Sequence, residues 1–279
     1  MLDADPLAAW QRDGYLVWPG FKAPADLEAV RARSRAIVEA FEPGADAAVF
    51  SSRERSRLAG QALIESADQV RCFFEEEAFD ANGKLAVPKA QAINKIGHAL
   101  HDRDPVFERF SRDPRLAALA QDLGLAAPLL MQSMLIFKQP RIGGEVVWHQ
   151  DASFLFTEPQ SVIGFWFALE DASRDNGCLW VEPRGHRGPL RERYVNRDGR
   201  LAMEALDATP WPDAARTRAL EVPAGTLVVF DGRLPHASGP NRSASSRMAY
   251  TLHAVDATAV YSPLNWLQRG PALPARGFA

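Results

Sequence analysis

Cysteine is nearly absent from this chain: Cys72 and Cys178 are the only two in 279 residues. Both stand among aromatic or apolar neighbours, where a buried free thiol is expected rather than a disulfide or a metal ligand. A reducing cytoplasm fits that usage. A long hydrophobic run is also missing. The longest, Val162 to Leu169 counting Gly164, has 8 residues, against the ~20 of a membrane-spanning helix, so no membrane partner is expected. Charge of one sign is not in excess either. The 32 Lys plus Arg stand against 35 Asp plus Glu, for a net −3, and no basic cluster could track a phosphate backbone, which argues against nucleic acid. The first residues, Met1-Leu2-Asp3-Ala4-Asp5-Pro6, are acidic and lack the basic and apolar regions of a signal peptide. Repeats and low-complexity tracts are missing too. At 47% apolar and 24% charged residues the chain has ordinary globular composition, and one domain over 1–279 is the expectation.

The texture changes along the chain. Residues 1–125 read as mainly helical. Pro24 to Phe41 carries Leu27, Val30, Ile37, Val38 and Phe41 at helical spacing, with Pro43-Gly44 as a stop, and a short strand, Tyr15 to Trp18, precedes it. Asp104-Pro105 and Asp113-Pro114 each put a capping residue before a proline at the first helical position, predicting two short helices that end near Gly124. Residues 126–279 read as β. Short runs occur at Leu129–Phe137, Glu145–Trp148, Val162–Leu169, Cys178–Val181, Leu220–Val222, Thr226–Phe230 and Met248–Val255. Gly143-Gly144, Asn176-Gly177, Pro223-Ala224-Gly225 and Asp231-Gly232 are the turn signals between them. Many short strands without intervening helices predict an antiparallel sandwich or jelly roll, and with the helical first part the class is α+β. Arg187 to Arg218, polar and punctuated by proline, reads as a long excursion of the kind used for lids and binding loops.

Three places can carry chemistry. In Trp148-His149-Gln150-Asp151, side chains two apart on an extended segment point to one face, so an imidazole and a carboxylate can converge on one ion. So short a motif also arises by chance, as a polar strand end. His236, in Leu234-Pro235-His236-Ala237-Ser238, follows a core strand and suits a pocket rim or a satisfied core position equally. Together the three make a two-histidine, one-carboxylate set that suits iron(II) with open positions. Zinc accepts the same set, for hydrolysis. A third class, a β-sandwich that only binds metal or ligand, has no need of all three residues. On the strand from Arg247 to His253, alternation puts Arg247, Ala249, Thr251 and His253 on one face. That face either meets solvent or offers a guanidinium fork to a dicarboxylate, with small neighbours leaving room.

Beyond these readings the sequence resembles the phytanoyl-CoA dioxygenase family. The match lies in Trp148-His149-Gln150-Asp151-Ala152-Ser153-Phe154, in Asn176-Gly177-Cys178-Leu179-Trp180, and in the spacing from His236 through Ser238 to Arg247. Ile93-Asn94-Lys95-Ile96-Gly97-His98-Ala99-Leu100-His101, Gln132-Ser133-Met134, Ile136-Phe137-Lys138-Gln139-Pro140 and Asn265-Trp266-Leu267-Gln268 narrow it to one branch, over a span from about Asp13 to Gln268. The resemblance implies a double-stranded β-helix core with iron(II) on His149, Asp151 and His236. It also implies Arg247 on the distal carboxylate of 2-oxoglutarate with Ser238 beside it, and Lys95, Met134 and Trp166 lining the co-substrate pocket. The implied reaction consumes O2 and 2-oxoglutarate, hydroxylates a small organic substrate, and releases succinate and CO2. Trp166 has separate support, since Gly164 and Ala168 flank it on one strand face and would make space. Two departures bear on the substrate. The family's usual Pro-Gly-Ser-His is here Pro183-Arg184-Gly185-His186, and Arg187 to Arg218 has no clear counterpart. With no basic patch in view, a coenzyme A thioester gains no support.

Overall fold

The computed structural model describes residues 4–43, 48–50 and 60–278. Gly44, half of the expected Pro43-Gly44 stop, and Met1–Asp3 lie outside them. The helices are α1 (Ala4–Asp13), α2 (Pro24–Ala40), α3 (Gly60–Glu65), α4 (Leu100–Arg103), α5 (Pro105–Ser111) and α6 (Pro114–Asp122). The strands are β1 (Tyr15–Trp18), β2 (Val49–Phe50), β3 (Val70–Glu75), β4 (Ile93–His98), β5 (Pro128–Lys138), β6 (Val146–His149), β7 (Thr157–Glu158) and β8 (Ile163–Ala168). After them come β9 (Leu179–Val181), β10 (Glu192–Arg197), β11 (Arg200–Ala205), β12 (Arg218–Leu220), β13 (Leu227–Asp231), β14 (His236–Ser238), β15 (Arg247–Asp256) and β16 (Val260–Tyr261).

Helix starts follow local chemistry. The Asp104 carboxylate accepts from the backbone N–H of Val106 at 3.0 Å, and that of Asp113 accepts from Arg115 at 3.0 Å, each ahead of a proline at the first helical turn. Helix α2 buries Leu27, Val30, Ser34 and Val38, one stripe of a helix lying on a sheet.

Eight strands form the larger sheet in the order β1-β13-β8-β15-β5-β4-β3-β2, and four form the smaller in the order β12-β9-β14-β6. This is the jelly-roll architecture, α+β once the helices are counted. Alternation along the larger sheet gives its two faces different partners. Phe165, Phe167, Tyr250 and Leu252 pack in one apolar cluster with Leu27 and Val30 of α2 and Phe107 of α5. Trp166, Ala168 and Ala249, of the opposite parity, pack with Leu179 and Val181 of the smaller sheet. Both faces are therefore covered, and the polar parity of β15 does not reach solvent.

The chain departs from its sequence reading in three places. The first 125 residues are mainly helical, but β3 and β4 lie there too and extend the larger sheet beside β5. Arg187 to Arg218 is an insertion between two strands that pair with each other, β9 and β12, but it carries an ordered hairpin, β10–β11. The strand expected at Leu220–Val222 runs from Arg218 to Leu220, and Val222 makes an isolated bridge to Ala172.

Candidate metal centre and co-substrate pocket

His149 ends β6 and His236 opens β14, and the two are register partners across antiparallel strands. The backbone stays extended through Gln150 (φ −125°, ψ 131°), so Asp151 returns to the face of His149 before a 3-10 turn, Asp151–Ser153, takes over. Asp151 Oδ1 lies 3.7 Å from Nε2 of His149 and 3.7 Å from Nε2 of His236. The three side chains offer ligand atoms that all lie within 4.8 Å of one another. His149 Nδ1 faces the carbonyl of Val147 at 2.9 Å and His236 Nδ1 that of Leu234 at 3.0 Å. A carbonyl only accepts, so both protons sit on Nδ1 and both Nε2 lone pairs turn to the centre. Burial pushes the Asp151 carboxyl up, but the facing imidazoles of His253, His236 and His149 outweigh it and hold the group below its ordinary value. Two imidazole nitrogens around an ionised carboxylate are a donor set that fits a divalent transition metal.

The other half of the site is a buried cation. Arg247 is 1% exposed. Its Nε donates to the carbonyl of Gly177 at 3.1 Å, its guanidinium stands 5.7 Å from the Trp166 ring centre, and its Nη1 is buried without a partner. Burial pulls its pKa down to about 10, so it stays charged at neutral pH. Gly177 serves this arrangement through its backbone: it adopts φ +87°, and a Cβ would come within 2.7 Å of the Gly239 carbonyl. Lys138, the register partner of Arg247 on β5, is also buried. Its Nζ donates to the carbonyls of Gly144, Ser238 and Gly239, and burial together with Arg247 lowers its pKa well below the usual value.

One cavity of about 160 Å³ joins the two halves. Every residue singled out from the sequence lines it: His149, Asp151, His236, Arg247, Ser238, Lys95, Met134 and Trp166. Register shows how. Thr251 pairs with Met134 on one side and Trp166 on the other, so these three cross the cavity floor at one level. Lys95 pairs with Ile136, itself paired with Ala249, one level nearer Arg247.

Sequence reasoning did not single out several residues of this site. His253 Nε2 lies 3.0 Å from Asp151 Oδ2, and its parity with Arg247 was the available signal. Gly164 sits where a Cβ would be 2.8 Å from Asp151 Oδ2 and 2.5 Å from the Phe230 ring, so its missing side chain seats the carboxylate. Gln150, fully buried between two candidate ligands, donates to the carbonyls of Pro189 (3.0 Å) and Arg233 (2.7 Å) and accepts from Arg191 N–H (2.9 Å). From the insertion, Tyr194 lines the cavity and packs on Phe154, which packs edge-on against His149.

Comparison with known proteins agrees with this geometry. The family model described as phytanoyl-CoA dioxygenase matches residues 10–249. A protein named phytanoyl-CoA dioxygenase from Arabidopsis thaliana is 39% identical over 269 residues, covering 96% of this chain and 94% of its own. Phytanoyl-CoA dioxygenase domain-containing protein 1 from Bos taurus is 42% identical over 286 residues, covering 98% and 97%. Among solved structures, the epimerase SnoN in complex with Fe3+, alpha ketoglutarate and nogalamycin RO superposes with TM-score 0.65 at 19% identity, over 98% of this chain and 91% of its own. EctD from S. alaskensis with 2-oxoglutarate and 5-hydroxyectoine gives 0.63 at 20% identity, over 96% and 84%. At those identities the structural likeness speaks for the shared fold.

Proposed function

Since the chain belongs to the phytanoyl-CoA dioxygenase family, we propose that it is an iron(II)- and 2-oxoglutarate-dependent dioxygenase that hydroxylates a small organic substrate. The observation that carries the reading is Arg247, a buried cation with an unpartnered Nη1, in the same cavity as the His149, Asp151 and His236 cluster. A zinc hydrolase on the same three ligands has no use for it. A buried guanidinium is costly unless an anion joins it, and a dicarboxylate that chelates a metal at one end supplies that anion at the other.

In this reading His149 and His236 hold the ion through Nε2 and Asp151 through its carboxylate. The carbonyls of Val147 and Leu234 keep the two imidazoles in the ligating tautomer. Arg247 grips the distal carboxylate of 2-oxoglutarate, Ser238 lies beside it, and Trp166, Met134 and Lys95 wall the co-substrate from water. Iron with 2-oxoglutarate bound supplies the oxygen-activating chemistry that hydroxylates a C–H bond and releases succinate and CO2. We read residues 1–279 as one dioxygenase domain, because β3 and β4 of the first part share a sheet with β15. No helix among the described residues is long and apolar enough to cross a membrane. The buried free thiols of Cys72 and Cys178 favour a cytoplasmic setting.

The test is anaerobic loading with iron(II) followed by 2-oxoglutarate. A weak visible charge-transfer band and stoichiometric binding are expected; iron-loaded protein that does not bind 2-oxoglutarate would overturn the reading.

A further inference from the structure

Lys138 closes β5 as the register partner of Arg247, which opens β15, so the two side chains rise from the same face of the larger sheet. Arg247 lines the cavity, and Lys138, 1% exposed, stands behind it. The Lys138 Nζ donates to the carbonyls of Gly144, Ser238 (3.3 Å) and Gly239 (2.8 Å). Three acceptors suit an ammonium, which has three N–H groups and no lone pair. Burial and Arg247 work against that charge, while Glu75 and Glu145 support it.

The three carbonyls belong to the strands that carry the candidate metal ligands. Ser238 closes β14, which opens with His236, and Gly239 follows it. Gly144 lies two residues ahead of β6, which ends with His149, the register partner of His236. On β14 the imidazole and the first of these carbonyls are two residues apart, ~6.7 Å of extended chain. Gly177 carries the link on to Arg247. A Cβ at Gly177 would lie 3.4 Å from both Cδ and Cε of Lys138 and 2.7 Å from the Gly239 carbonyl, and the Gly177 carbonyl accepts from Arg247 Nε at 3.1 Å. The lysine stem and one of its acceptors therefore pack on the backbone that aims the guanidinium. Gly144 is stopped by Glu75, whose Oε1 a Cβ at Gly144 would meet at 2.5 Å and whose Oε2 accepts from Asn94 Nδ2 at 2.8 Å. Asn241 Nδ2 donates to the Lys138 carbonyl at 2.9 Å and fixes the base of the side chain.

One ammonium accordingly ties the two strands that carry the candidate histidine ligands to the strand that carries the buried arginine. We propose that Lys138 is a positioning residue that sets the separation between the metal centre and Arg247, and so fixes the length of 2-oxo diacid that the site accepts. The inference deepens the dioxygenase reading and rests on it. A 2-oxo diacid that chelates at one end must bring its far carboxylate to the guanidinium, and a chain one carbon longer or shorter meets that fork outside its hydrogen-bonding geometry. Without the ammonium, three carbonyl oxygens are left with no donor between them, which is costly in a buried setting. They part or admit water, Gly177 loses the packing that holds it, and Arg247 gains room to meet a longer acid. Charge attraction alone predicts something else: removal of one positive charge would weaken every diacid alike.

The test measures binding of oxaloacetate, 2-oxoglutarate and 2-oxoadipate, which differ by one carbon each, to iron(II)-loaded protein by anaerobic calorimetry, so that turnover plays no part. Wild type should bind 2-oxoglutarate at least about tenfold more tightly than either neighbour. In Lys138→Met the preference over 2-oxoadipate should shrink by about tenfold, the order expected when a group that orients a binding residue is lost. Iron(II) affinity should stay near wild type, because His149 and His236 keep their own carbonyl partners. Where Lys138→Met does not fold, Lys138→Gln carries the comparison: its amide still donates to two carbonyls, and a loss of preference of about threefold is expected. An unchanged preference in the variant that folds, equal weakening of all three acids, or a wild type that binds 2-oxoadipate as tightly as 2-oxoglutarate overturns the inference and leaves the dioxygenase reading in place. That reading falls, and the inference with it, only if iron-loaded wild type fails to bind 2-oxoglutarate.

Discussion

His253 Nε2 stands 3.0 Å from Asp151 Oδ2, while the other oxygen of that carboxylate, Oδ1, lies 3.7 Å from Nε2 of both His149 and His236. The His253 ring braces Oδ2 by this close ion-pair contact, and Oδ1 faces the two imidazoles where an ion would sit. His253 is therefore a positioning residue. His253→Ala should lower iron(II) affinity by roughly 10- to 100-fold, the usual effect of losing a group that orients a ligand. His253→Gln, which keeps a donor, should recover part of it. Competition titration against a chelator reads both, and an unaltered iron affinity in the alanine variant would dismiss the role.

Gly164 faces the same carboxylate from β8. An added Cβ would lie 2.8 Å from Asp151 Oδ2 and 2.5 Å from Phe230 Cε2, and neither neighbour is a free chain end. Gly164→Ala should cost ~1 to 3 kcal/mol of stability, the range for overpacked interiors, and weaken iron binding as well. Gly270→Ala, where a Cβ meets nothing within 4 Å, should change neither. Denaturant melts of the two variants side by side make the comparison.

Arg247→Leu removes the cation and keeps most of the volume. Binding of 2-oxoglutarate should weaken by ~2 to 5 kcal/mol, the cost of breaking a buried charge pair, hence at least about thirtyfold. The metal is held elsewhere and its affinity should hold. Unchanged 2-oxoglutarate affinity would remove Arg247 from the site.

How much of this was legible in the sequence depends on whether burial and polarity agree. They agree on β5, β8, β13 and β15, where apolar alternation and glycine turns located the strands to within a residue or so. They disagree on β4, whose Asn94, Lys95 and His98 are polar yet buried, so the strand was read as part of a helical half. The same conflict made the Arg247 parity look like a solvent face. A sheet with helices on one side and a polar cavity on the other has no such face, and it was the family resemblance, not the pattern, that pointed to the cavity. The β10–β11 hairpin was missed for a third reason. Its turn residues, Asp198 and Gly199, are plain in the sequence, but its strands are rich in Arg and Glu and only Tyr194 and Val195 are buried.

Asp102 offers a stability test remote from the cavity. Its side chain is fully buried, with Arg112 Nη2 at 2.7 Å, Arg276 Nη2 at 2.9 Å, Arg269 in closer contact, and His101 Nε2 at 3.2 Å. Burial pushes its carboxyl up, but His101, Arg112 and Arg276 outweigh this and hold it below the ordinary value. A depressed folded-state value contributes stability that is fully present above the unfolded pKa of about 4 and is lost as pH falls through the folded value. Asp102→Asn should cost ~3 to 5 kcal/mol at neutral pH, since it strands buried arginines. The gap to wild type should narrow below pH ~4. A gap that stays constant in acid would show that charge is not the cause.

Gln150 connects the candidate metal strand to the insertion that has no clear family counterpart. Its amide holds the carbonyls of Pro189 and Arg233 and the N–H of Arg191, and four residues beyond Pro189 the chain delivers Arg193 and then Tyr194, a cavity wall. Three hydrogen bonds at roughly 1 kcal/mol each make Gln150→Ala worth ~2 to 3 kcal/mol locally, which should raise the open population of the insertion by about thirtyfold or more. Arg197 and Arg200 flank the exposed Asp198-Gly199 turn of the hairpin, so trypsin should cut there correspondingly faster in the variant. With Tyr194 loosened from Phe154, water gains entry to the cavity. Succinate formation in the absence of prime substrate should then rise relative to that in its presence. The His149 and Asp151 side chains keep their own partners at Val147 and His253, so iron content should stay near wild type. A variant that is cut at the wild-type rate and keeps its wild-type dependence on substrate would mean that the insertion is anchored elsewhere and that Gln150 is only packing between two ligands.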